Sequence, residues 1–100
     1  MSLTNNLYTI TNKTNKSIEI LLTDKNHPVF SAHFPNLPIL PGFLQIDIAQ
    51  GLFNIKIKKI KRAKFLTIIK PDSQIIFTQI KNRILIHTLE NTKTSEIIYE

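Results

Sequence analysis

From Pro35 to Pro41 the chain places three prolines in seven residues, and the segment after Gly42 is apolar almost all the way round a helical turn. Phe43, Leu44, Ile46, Ile48, Ala49, Leu52 and Phe53 cover most of its circumference, so a helix from Phe43 to about Asn54 has to be buried. Its polar positions are Gln45, Asp47, Gln50 and Asn54, and the last three share one stripe at i, i+3 and i+7. With 100 residues the chain is one small domain, expected to span 1–100, and it buries only about two-thirds of its unfolded surface. A second copy of the chain would extend such a core.

The remaining sequence is rich in β-branched residues and reads as strands. Residues 8–10 and Ser17–Leu22 form a first pair across a polar Asn/Thr/Lys turn. Further strands are expected near 60–69, Gln74–Ile80, 83–90 and 95–100, the last one short or absent. Lys70-Pro71-Asp72-Ser73 breaks the first of these from the next, and Lys81-Asn82 has the length of a tight hairpin turn. Residues 24–42 hold four of the five prolines and read as a structured loop. Strands, one buried helix and then more strands make an α+β fold: an antiparallel sheet packed around a single central helix.

The chain has no cysteine, so it has no thiolate nucleophile, disulfide or cysteine-based metal site. Its three histidines, His27, His33 and His87, lack metal-ligand spacing, and two glycines in all leave no phosphate-cradling loop. No apolar run reaches the ~20 residues of a membrane span, and the opening residues lack a basic region followed by an apolar one. A cytoplasmic protein without a membrane or nucleic-acid role is expected. The net charge of +6 gathers at Lys56, Lys58, Lys59, Lys61, Arg62 and Lys64, either a solvated surface or a docking site for an acidic partner. No aromatic residues interleave this run, which argues against a stacking platform for single strands.

His33 and Asp47 are the two groups placed for acid–base chemistry. His33 sits among prolines that stiffen its loop, and histidine is the residue type whose ordinary pKa lies near neutrality. The plainer reading is a loop histidine that satisfies backbone groups. Asp47 lies in an apolar helix, where burial would raise its pKa and make it a proton donor; otherwise it marks an exposed helix face. Pro41-Gly42 suits a helix start, where free N–H groups stabilise an oxyanion and a glycine admits a substrate closely. His27, His87 and Ser31 read as structural.

His33-Phe34, Pro38, Pro41-Gly42 and Asp47, with the acid fourteen residues after the histidine, resemble the active-site stretch of the hotdog-fold 3-hydroxyacyl-[acyl-carrier-protein] dehydratases. Pro28-Val29-Phe30 is similar to the approach to that histidine. Asn36 replaces the glycine common after His-Phe-Pro, and Asp47-Ile48-Ala49-Gln50 shortens the usual ending. The acid is Asp, as in the branch that also isomerises. The resemblance implies a hotdog fold and dehydration of a (3R)-hydroxyacyl thioester to the trans-2-enoyl thioester. His33 would take the C2 proton, the N–H of Gly42 or Phe43 would hold the thioester oxygen, and Asp47 would protonate the leaving hydroxyl. Phe30, Phe34, Phe43 and Ile48 would line the acyl tunnel. No cofactor is needed. The resemblance further implies a homodimer, or an oligomer of dimers, with sites shared between subunits, and an acyl-carrier protein docking on the basic run. Two other readings stand beside it: a thioester hydrolase of the same fold, and a non-catalytic subunit pairing with a paralogue.

Overall fold

The structure, a computed structural model, describes residues 4–32 and 36–100. Six strands form one antiparallel sheet: β1 (Tyr8–Lys13), β2 (Ser17–Leu22), β3 (Ile60–Phe65), β4 (Gln74–Ile80), β5 (Arg83–Thr88) and β6 (Lys93–Tyr99), in the order β1-β2-β4-β5-β6-β3. Two helices join it, α1 (Pro28–Ala32) and α2 (Gly42–Phe53).

The expected helix is α2. Its N-cap, Pro41, is extended (φ −63°, ψ 152°), a shape proline holds before a helix. It ends where Asn54 enters the left-handed region (φ 53°, ψ 49°) and returns its N–H to the Gln50 carbonyl. Leu44, Ile48, Ala49 and Leu52 face the sheet and are buried with Ile18, Ile20, Ile75, Phe77, Ile84, Ile86 and Ile97. The core face follows from register: Ile18 pairs with Phe77, Phe77 with Ile86, Ile86 with Ser95, and Ser95 with Phe65. Paired residues in adjacent antiparallel strands share a face, so these side chains form one inward row.

Several local expectations change. The helix is not buried all round: Phe43 is 52% exposed, and Asp47, Gly51 and Asn54 are also exposed. One sheet covers one side of a helix, and no second layer among the described residues reaches the other. Residues 24–42 contain a helix, α1, within the expected loop. His27 caps it: its Nδ1 accepts the Val29 N–H at 3.1 Å, its Nε2 lies 2.8 Å from the Asn5 carbonyl, and Pro28 takes the first helical position, where an N–H is not needed. The strand expected over 60–69 stops at Phe65, and the one over 83–90 stops at Thr88. The last strand is full length, seven residues, because β3 pairs along it from the far side. The two-residue turn Lys81-Asn82 closes the β4–β5 hairpin as expected, with Ile80 opposite Arg83 and Lys81 at φ 53°.

Candidate active site

The Pro-rich strap enters α2 under two constraints. The Leu40 N–H donates to the Ile69 carbonyl at 2.8 Å, tying the strap to the segment after β3. The Gln45 side-chain amide donates to the Leu40 carbonyl at 3.1 Å from inside the helix. Pro41 then accepts the first helical bonds, from the N–H groups of Leu44 (3.1 Å) and Gln45 (3.2 Å). Gly42 opens the helix, so its N–H has no acceptor within it, and Pro41 supplies no side-chain cap. The backbone dipoles of α2 add positive potential at the same place.

A glycine there lets the Phe65 ring pack close. A Cβ on Gly42 would lie 2.7 Å from Cζ of Phe65, which faces inward from the end of β3. The Phe65 ring thus packs directly on Gly42, and both residues line a cleft of about 220 Å³ with Ile39, Leu40, Pro41, Gln45 and the segment Leu66–Ile69. Apart from Gln45 and Thr67 the lining is apolar. Such a cleft suits an apolar ligand group lying against the helix start.

Asp47 lies five residues further on, about 7.5 Å along the helix axis. It occupies the outward stripe with Phe43 and Gln50, and it is exposed rather than partly buried. Gln50 Nε2 reaches Asp47 Oδ1 at 3.4 Å, while Gln50 Oε1 accepts the Ile57 N–H at 2.8 Å. The polar stripe read from the sequence therefore serves the helix itself, since Gln50 and Asn54 close the C-terminal end of α2 and Gln50 steadies the acid.

His33 and Phe34 lie outside the described residues, so the expected base and one tunnel residue are not placed. Of the other expected tunnel residues, Phe30 and Ile48 are fully buried core side chains, and Phe43 points outward; none lines the cleft at Gly42. That lining comes from Phe65–Ile69, which sequence reading took for strand. Phe30 lines a second cleft, about 360 Å³, with Lys25, Asn26, Ser31, Asn36 and Pro38. The sequence did signal one missed residue: Gln45 is a polar side chain on the buried face of an apolar helix, and such a group needs partners.

The basic run spans the connection into β3. Ile55 and Ile57 pack on the core while Lys56 and Lys58 point to solvent. Lys61 pairs with Glu100 at 3.6 Å, both half-exposed. Arg62 and Lys64 share the outer face of the sheet with Glu96, which binds Lys93 at 2.7 Å and Arg83 at 3.2 Å. The Lys93 hydrogen bond holds the Glu96 carboxyl below its ordinary range, helped by the charges of Lys93, Arg83 and Lys64. No helix among the described residues is long and apolar enough to cross a membrane.

Known structures share this architecture. The dehydratase heterocomplex ApeI:P from Xenorhabdus doucetiae contains a chain with TM-score 0.67 and 19% identity, the match covering 92% of each chain. An uncharacterized protein from Erwinia carotovora subsp. atroseptica gives TM-score 0.57 and 22% identity, covering 93% of this chain and 90% of the other. At such identities the likeness concerns fold, and the fold is the hotdog. No curated protein sequence matches. The family model for the ApeI dehydratase matches residues 9–97, most of the sequence and all of the cleft. A glycine at the head of a sheet-covered helix, an acid five residues on and this match lead to one conclusion: the chain belongs to the ApeI-like dehydratase family.

Proposed function

We propose that the chain, as a single hotdog domain over 1–100, removes water from a (3R)-hydroxyacyl thioester carried on an acyl-carrier protein, giving the trans-2-enoyl thioester. A cytoplasmic pathway of fatty acid or polyene-type lipid synthesis would use it. The observation that carries the reading is Gly42: a helix-start N–H at the wall of an apolar cleft, with an acid five residues further along the same helix. An N–H there stabilises the charge that develops on a thioester oxygen when the C2 proton leaves. His33 takes that proton and Asp47 gives one to the departing C3 hydroxyl. Elimination of water then balances with no redox partner.

In one chain Asp47 is open to water, which suits a proton donor poorly. A second subunit supplies the cover. Phe43 (52% exposed), Ile60 (37%), Phe65 (47%) and Leu66 (58%) lie on α2 and on or just after β3, and β3 is an edge strand of the sheet. Edge pairing of β3 with a second copy would bury these residues and bring the loop of one subunit to the helix of the other. The ApeI:P heterocomplex gives the second reading weight: the covering subunit is then a paralogue and not a second copy.

The test is complementation. His33→Ala and Asp47→Asn should each lose about 10²- to 10⁴-fold in dehydration of a 3-hydroxyacyl thioester. Co-expressed, they should regain activity through mixed dimers with one intact site. Near-normal turnover by either single variant rejects the mechanism. A monomer that is inactive until a paralogue is added selects the second reading, and release of free acid in place of enoyl thioester selects the hydrolase.

A further inference from the structure

Gln45 is 3% exposed and lies in the first turn of α2, on the side facing the sheet. Its Nε2 donates to the Leu40 carbonyl at 3.1 Å, and its Oε1 accepts the Ser95 hydroxyl at 2.6 Å. Ser95 is itself fully buried and pairs across the sheet with Phe65. One side chain therefore joins three parts of the cleft: the strap before Gly42, the helix that Gly42 opens, and the strand neighbour of the Phe65 wall. Ordinary core packing would put Leu or Ile here, and a buried amide costs free energy unless both ends are satisfied. Both are satisfied, by the carbonyl two residues before Gly42 and by the strand partner of Phe65.

We propose that Gln45 is a positioning residue for the reaction, fixing with Ser95 the angle of the strap into α2 and so the direction of the Gly42 N–H. The proposal rests on the dehydratase reading. Without the Gln45 bond Leu40 keeps only its N–H bond to the Ile69 carbonyl, the strap gains freedom to turn about Pro41, and the Gly42 N–H shifts from the place where the thioester oxygen becomes charged. Substrate binding depends mainly on the apolar walls and changes little. The effect belongs to kcat.

Three measurements test it. Gln45→Leu keeps the volume and removes both bonds; kcat on a small 3-hydroxyacyl thioester should fall about 10²-fold, the scale for displacing a reacting group by about 1 Å, with KM changing far less. Gln45→Glu has nearly the same shape and tests the donor alone. As the neutral acid it still donates to the Leu40 carbonyl; as the carboxylate it repels it. Its activity relative to wild type should be highest at acid pH and fall as pH rises, the buried carboxyl titrating above the usual range. Third, the chain has two glycines, Gly42 and Gly51, so glycine-selective ¹⁵N labelling gives two amide resonances. Either variant should move the Gly42 resonance and leave that of Gly51. An unmoved Gly42 resonance, unchanged kcat in Gln45→Leu, or a flat pH ratio for Gln45→Glu overturns the proposal. If the wild-type protein does not dehydrate thioesters, the functional reading fails, and the Gly42 resonance alone still decides whether Gln45 sets the helix start.

Discussion

Gly42→Ala separates the space the cleft needs from the stability the helix needs. Gly42 has ordinary helical geometry with no positive φ, so alanine there is favoured by up to ~1 kcal/mol through the entropy of the unfolded chain. Against this, the new Cβ lies 2.7, 2.8 and 3.1 Å from three atoms of the Phe65 ring. The ring must move, and with Phe65 already 47% exposed it has room to do so. A phenylalanine that gives up its remaining buried half exposes about 100 Å², or ~2.5 kcal/mol at most. The net change therefore falls between a gain of ~1 and a loss of ~1.5 kcal/mol, the loss lowering Tm by roughly 6–12 °C at most for a domain of this size. On the proposed function activity should fall far more, since the ring it displaces lines the 220 Å³ cleft and the methyl group stands beside the helix-start N–H. The decisive assay is a double-mutant cycle by thermal or urea denaturation. In a Phe65→Ala background Gly42→Ala should be neutral or stabilising, with a coupling of about 1–2 kcal/mol relative to the intact ring. Additivity within ~0.5 kcal/mol would show that the two residues do not contend for space. Wild-type dehydration by Gly42→Ala would remove the cleft from the mechanism.

Ile48→Ala, at a fully buried position between α2 and the sheet, should cost about 2–5 kcal/mol in urea denaturation; a loss below ~1 kcal/mol would place the helix differently. Glu96 tests the outer face: its carboxyl titrates below the ordinary 4.5 in the folded chain, so it stabilises at neutral pH and that contribution disappears as pH falls through its lowered folded value. Glu96→Gln should thus lower Tm at pH 7 and leave it nearly unchanged near pH 2, and an equal drop at both would refute the ion-pair account. Reversing Lys56, Lys58 and Lys59 to Glu should raise KM for a carrier-bound thioester, an effect that high salt mimics, and spare a carrier-free analogue. Equal loss on both substrates would mean that the lysines act on the fold.

Much of the molecule is written locally in its sequence. The apolar turns after Gly42 place α2 to within a residue, because an apolar-rich pattern fills the span between its glycine and asparagine boundaries. Ser17–Leu22, Gln74–Ile80 and the Lys81-Asn82 turn follow from β-branched alternation and turn length. The acid and the glycine are five residues apart on one helix, and their spacing is therefore a property of the sequence itself. Tertiary structure decided the rest. Periodicity says which residues leave water, not which ones they meet. β3 comes after α2 in the chain but pairs with β6 at the sheet edge, and only that pairing brings Phe65 over Gly42. Gln45 meets the Ser95 hydroxyl, fifty residues away, through the same register. The exposure of Phe43 and Asp47 is equally non-local: the sequence marks the helix as apolar all round, but a single sheet can cover only one face of it and leaves the other open to water.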